Sequence, residues 1–105
     1  MKTYVGDRTI DGIAVQVDGQ PLSPRYEQLG LTKRGFEWSY EGPEPAQLAF
    51  ALLLDHLGDA KMAKTLYPAF MKSVVANFDN EWVLTTADLS AAVDALRRDE
   101  TRDRA

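Results

Sequence analysis

The sequence predicts an α+β fold, an antiparallel meander of three to four strands packed against a central buried helix and two further helices. Three observations carry this. Leu48 to Leu54 are seven consecutive apolar residues without a charge, and on a helix such a run points apolar groups in every direction, so protein must surround it. Two Asp-Gly pairs, Asp11-Gly12 and Asp18-Gly19, bracket an alternating segment, the mark of hairpin turns between strands. Ala63, Leu66, Tyr67, Phe70, Val74 and Phe78 recur at three- and four-residue spacing, which makes one helical stripe.

Taken in order, Tyr4, Val5 and Ile10 supply a first strand, open to a break at Gly6-Asp7. In the second, Ile13, Val15 and Val17 alternate with Ala14 and Gln16 and give the sheet one apolar face. Pro21 cannot donate to a ladder, so the third strand is short or at an edge. Ser23 to Arg34 reads either as a brief helical turn through Leu29, ended by Gly30, or as a surface loop. Phe36, Trp38 and Tyr40 alternate with Glu37 and Ser39, which predicts a strand with three rings on one face.

The central helix begins at Pro45, where a missing N–H costs nothing, and ends at Gly58 in the left-handed conformation. Asp59 caps a second helix that reaches Phe78, with Pro68 kinking or dividing it near Leu66–Tyr67. Glu81 to Leu84 adds a last short strand. Thr85 and Asp88 then stand as a capping box, flanked by Leu84 and Leu89 as a hydrophobic staple, and the final helix continues through Leu96. Residues 1–97 are expected to form a single compact domain and residues 98–105 a charged tail that frays. The expected core is Val15, Val17, Trp38, Leu48, Ala49, Leu52, Leu53, Leu66, Phe70, Val74 and Leu89.

Composition excludes several functions. The 105 residues contain no cysteine, which removes disulfides, cysteine nucleophiles, thiolate zinc sites and iron–sulfur clusters together. The opening residues lack an apolar signal region, so a cytoplasmic protein is expected. The longest apolar run is far short of the about 20 residues that span a bilayer, so no membrane partner is expected. The formal net charge is −4, with Glu37, Glu41, Glu44, Asp55 and Asp59 and no Lys or Arg between Gly35 and Ala60. That balance counts against non-specific nucleic-acid binding without excluding a local basic patch.

Several segments together carry a resemblance. They are Tyr4-Val5-Gly6-Asp7-Arg8, Val15-Gln16-Val17-Asp18-Gly19, Gly35-Phe36-Glu37-Trp38-Ser39-Tyr40, Pro45-Ala46-Gln47-Leu48-Ala49 and Trp82-Val83-Leu84-Thr85. Over about residues 4–89 the chain resembles a family of small prokaryotic proteins, found in bacteria, archaea and their mobile elements and described as a domain of unknown function. The resemblance implies one compact domain and carries over no activity or site residue.

Candidate chemistry is sparse. His56 is the single histidine, and Asp55 beside it diverges by about 100° on a helix, so a partly buried helix-end histidine is the plainer reading. Glu37, Glu41 and Glu44 read as a solvated acidic rim rather than a cation site. Gly42 to Pro45 precedes a helix N-terminus, but its two prolines remove donors and Glu44 repels anions. No catalytic residue, metal or cofactor is expected. Arg8, Arg34, Trp38 and Trp82 are the candidate binding residues. The first functional reading is a small non-enzymatic binding or accessory protein acting through a protein partner or as a homo-oligomer, with an exposed apolar patch from Trp82, Tyr67 or Met71. The second is a nucleic-acid-associated regulatory module using Lys33, Arg34 and the aromatic strand 36–40. The third is a small-ligand binder or enzyme around His56 with Glu37, Glu41 or Asp59.

Overall fold

The structure, a computed structural model, describes residues 1–104, with side chains as far as Asp99. Strands β1 (Thr3–Thr9), β2 (Gly12–Val17) and β3 (Gln20–Pro21) come first, followed by a long loop and helices α1 (Pro43–Leu57) and α2 (Ala60–Ser73). A 3₁₀ turn (Val75–Asn77), strand β4 (Glu81–Thr85) and helix α3 (Thr86–Arg104) complete the chain. The antiparallel sheet has the order β3-β2-β1-β4, so the fourth strand returns beside the first instead of continuing after the third. The fold is α+β, as expected. The fraying expected of residues 98–105 falls largely on side chains outside the described residues, and Ala105 lies outside them altogether.

Turn chemistry sets the hairpins. Asp18 and Gly19 both have positive φ, 49° and 82°, the combination a tight β2–β3 turn requires. The Asp18 carboxylate also accepts the Thr3 N–H at 2.9 Å. The first hairpin is shifted by one residue: Ile10 and Asp11 form the turn, and Gly12, at φ 120°, opens β2 opposite Thr9. β1 runs unbroken through Gly6-Asp7, paired on both sides.

Helix α1 is central. Every residue from Pro45 to Leu54 is buried, and Leu48, Phe50, Leu52 and Leu53 are fully so; burying each such side chain contributes about 1.5–3 kcal/mol. The helix starts two residues earlier than expected, at Pro43, with Pro45 inside its first turn. It ends as expected, Gly58 at φ 66° donating its N–H to the Leu54 carbonyl at 2.8 Å. Helix α2 is capped by Asp59, whose carboxylate accepts the Met62 N–H. Pro68 does not divide it: α2 is continuous from Ala60 to Ser73, because Pro68 and Lys64, whose carbonyl loses its donor, both face solvent. The helix stops at Ser73 and gives way to the 3₁₀ turn before Phe78. Thr85 and Asp88 form the reciprocal capping box, at 2.9 and 3.1 Å.

Of the expected core, Val17 and Val74 are only half-buried and the others are buried; Tyr4, Phe50 and Trp82 join them unforeseen. Residues 36–40 are not a strand. Gly35 and Ser39 have φ of 86° and 80°, which break extended backbone at both ends, and the Ser39 N–H bonds the Val75 carbonyl rather than a sheet neighbour. The three rings therefore do not share a face: Trp38 is fully buried, Phe36 is half-buried and Tyr40 is 45% exposed. Between β3 and α1 the chain is a loop, with one tight turn in which the Gln28 and Leu29 N–H groups both donate to the Arg25 carbonyl.

Candidate functional site

Three of the four candidate binding residues meet at one end of the sheet. Arg8 on β1 and Trp82 on β4 point to the helix-covered face, Trp82 two residues from Leu84 and Arg8 four residues from Tyr4 along their strands. Trp38 is delivered between them by the loop. The rings of Trp38 and Trp82 meet edge to face at 5.7 Å, and Phe78 stacks on Trp82 at 4.5 Å. The Arg8 guanidinium lies 4.9 Å from the Trp38 ring. Its Nη2 donates to Glu37 Oε1 at 2.6 Å and to the Trp38 carbonyl at 2.9 Å, and its Nη1 to Asn80 Oδ1 at 2.6 Å. The guanidinium is thus a fork that ties the loop and the β4 entrance to β1. Glu37 belongs to this fork and not to an acidic rim.

Both tryptophans are interior residues, Trp38 at 0% and Trp82 at 7% exposure. Neither ring can act as an open stacking platform. Met71 is buried and Tyr67 half-buried, the latter edge-on to Phe50 at 6.2 Å, so the apolar patch expected from these side chains is internal packing. Arg34 and Lys33 are exposed, in the segment that leads to Gly35.

Two further polar groups fix the loop. Gln47, fully buried on α1, accepts the Leu31 N–H at 2.8 Å and donates to the carbonyls of Pro24 and Leu29 at 2.7 and 2.8 Å. Glu44 accepts from the Thr32 hydroxyl at 2.6 Å and the Tyr40 hydroxyl at 3.1 Å. These bonds, that from Thr32 foremost, hold the Glu44 carboxyl below the usual glutamate range. Partial burial and then Glu44 push the Tyr40 phenol up. On the other side of α1, Asp55 accepts from the Tyr4 hydroxyl at 2.6 Å and from Lys2 at 3.1 Å, with Arg25 at 3.8 Å. Burial, then this bond, pushes the Tyr4 phenol well above its ordinary value.

The His56 constellation is not assembled. His56 Nε2 lies 3.3 Å from Ser90 Oγ on α3, Asp59 caps α2 and Glu37 holds Arg8. Among the described residues no group of three or more His, Asp or Glu is placed to hold a metal ion, and no helix is long and apolar enough to cross a membrane.

The sheet face turned away from the helices is the open surface. Ala14, Gln16, Glu81 and Val83 are exposed there, with Val5 and Asp7 half-buried among them. Val5 and Val83 are directly paired, as are Asp7 and Ala14 on the other side of β1. Val83 is 61% exposed. No candidate residue lay on this face, although Val83 could have been placed on it from the alternation of Trp82 and Leu84.

The fold and these clusters define a small α+β protein, a four-stranded antiparallel sheet with three helices. A family model, described as a family of unknown function (DUF6166), matches residues 4–95, and the chain belongs to this family. No curated protein matches the chain. No solved structure matches it.

Proposed function

We propose that this is a small protein-binding or accessory module, cytoplasmic, which acts through the helix-free face of its sheet. The prokaryotic and mobile-element setting expected from the sequence resemblance belongs to the same proposal. The observation that carries it is the composition of that face. Val5 and Val83, directly paired, form an apolar strip, bordered by Gln16 opposite Val5 and by the neighbouring row Ala14, Asp7 and Glu81. An apolar centre with a polar rim is the anatomy of a protein contact surface. With the helices packed on one side only, the second face of the antiparallel sheet is left for such use.

Native mass spectrometry of the protein isolated gently from its own cells tests the reading, with Val83→Arg as the comparison. Val83 is exposed on β4, so the substitution alters the face while leaving the core alone. The expected result is a complex in the wild type that is lost in Val83→Arg. Equal complexes in both proteins, or a bare monomer in both, would overturn it.

A further inference from the structure

We infer that the occupant of this side of the molecule is a second copy of the same chain, paired antiparallel along β4 about a twofold axis at Val83. The inference rests on the proposed binding role of the open sheet face and names its partner.

The two edges of the sheet are built differently. β3 is only two residues long and contains Pro21, which blunts that edge. β4 is five residues long, in unbroken register with β1, and carries no proline or bulge, its one charge being Glu81 at the first position. Its middle and far end thus lack the devices that guard native edges against strand addition.

The backbone bonding shows which groups β4 offers. The Arg8 N–H donates to the Asn80 carbonyl and the Thr86 N–H to the Lys2 carbonyl, at 3.2 and 3.0 Å. By the alternation of an antiparallel ladder, Trp82 and Leu84 direct their backbone groups at β1. Glu81, Val83 and Thr85 direct theirs away from the sheet. Of these, the Thr85 N–H is already taken by the Asp88 carboxylate.

That set is self-complementary. With Val83 opposite its twin, the two Val83 residues exchange N–H···O=C bonds in both directions. Glu81 then lies opposite Thr85 of the second copy, so its N–H meets the Thr85 carbonyl, which as the cap residue's carbonyl also serves the first turn of α3 and keeps a second lone pair to offer. The committed Thr85 N–H costs the pairing only one donor per copy. Glu81 never faces Glu81, so no like charges stand directly opposite. The exposed Val83 side chains meet on the open face and extend the Val5–Val83 apolar strip across the axis. A foreign strand could use the same backbone groups, but the separation of like charges and the apolar centre about one residue fit an isologous pair.

Because residue 83 meets itself, any charge there is doubled across the axis. Sedimentation velocity on the purified protein, Val83→Glu, Val83→Lys and their equimolar mixture tests this. The expected result is a concentration-dependent wild-type dimer, at least tenfold weaker association in each variant alone, and recovery in the mixture. Val83 is exposed, so both variants should fold, which far-ultraviolet circular dichroism verifies. The chain has no cysteine, and a hydrogen-bonded antiparallel pair sets Cα atoms about 5.5 Å apart, within disulfide reach. Val83→Cys should therefore oxidise to a covalent dimer while Glu81→Cys stays monomeric. A wild type that is monomeric up to about 1 mM would overturn the self-pairing and leave the face free for a different partner. Variants that dimerise like the wild type, or a mixture that stays as weak as its components, would also overturn it.

Discussion

The indole of Trp82 lies directly over Gly6. A Cβ built at Gly6 would fall on the six-membered edge and nitrogen of that ring, so residue 6 can carry no side chain while the ring stays where it is. Gly6 and Trp82 are paired residues of β1 and β4, and the glycine is what allows the larger partner to lie flat in the core. The same ring meets Trp38 and Phe78, so its position is shared by the loop and by the segment entering β4.

Gly6→Ala should therefore destabilise the protein by about 1–3 kcal/mol through overpacking. Urea denaturation would show the midpoint falling. Adding Trp82→Leu to Gly6→Ala should cost less than the sum of the two single changes, because the smaller side chain relieves the clash. Strict additivity would mean that the ring does not constrain residue 6.

The Arg8 fork should be sensitive to geometry as well as charge. Arg8→Lys retains a cation but cannot bond Glu37, the Trp38 carbonyl and Asn80 at once. A loss of about 1–3 kcal/mol is expected, kept near the lower end because Arg8 and Glu37 side chains are 29% and 31% exposed. A double-mutant cycle with Glu37→Gln should give a coupling that persists in high salt, since hydrogen-bond direction and not long-range attraction carries it. Zero coupling would remove the fork from the account.

Much of the fold was legible because its signals are local. The left-handed Gly58, the Asp18-Gly19 turn, the Asp59 cap and the Thr85–Asp88 box each depend on a few adjacent residues, and each is where the pattern put it. The apolar run of α1 announced a surrounded helix for the same reason. The loop before α1 was not legible, because tertiary contacts decide it. The alternation of Phe36, Trp38 and Tyr40 imitates a strand, but Ser39 sits at positive φ and its N–H bonds Val75 across the molecule. The candidate site divided in the same way. Arg8, Trp38 and Trp82 were singled out separately and do meet, but as an interior cluster; burial of both rings depends on long-range packing that a residue pattern does not encode. Val83 and the free edge of β4 needed strand order, and strand order needs the sheet.

Glu44 gives the protein an acid-sensitive clamp. Its carboxyl titrates below the unfolded value, held there mainly by the Thr32 hydroxyl. A depressed carboxyl contributes stability above its unfolded pKa and loses it as pH falls through the folded one. Stability should therefore decline as acid protonates Glu44, and Glu44→Gln should flatten that part of the profile. The measurement is the urea midpoint as a function of pH from neutral downward in both proteins; parallel curves would show that the clamp is not linked to folding.

Gln47 should be the most demanding single residue of the loop. Its amide is the only buried polar side chain found among the described residues in the core, and it answers three loop backbone groups at once, one N–H and two carbonyls. Gln47→Leu conserves approximate volume but strips all three of their partner, at about 1–3 kcal/mol for each group that water cannot reach. Gln47→Glu keeps the acceptor for the Leu31 N–H but turns a second oxygen toward the Pro24 and Leu29 carbonyls, so at neutral pH it should also destabilise, and regain stability as acid protonates the new carboxyl. The local readout is tryptic cleavage after Arg25, Lys33 and Arg34, which all lie in the segment that Gln47 pins or its continuation. Cleavage there should accelerate in both variants before the whole protein unfolds. Unchanged cleavage in Gln47→Leu would show that the loop is held by its apolar contacts, Leu29, Leu31 and Phe36, rather than by the amide.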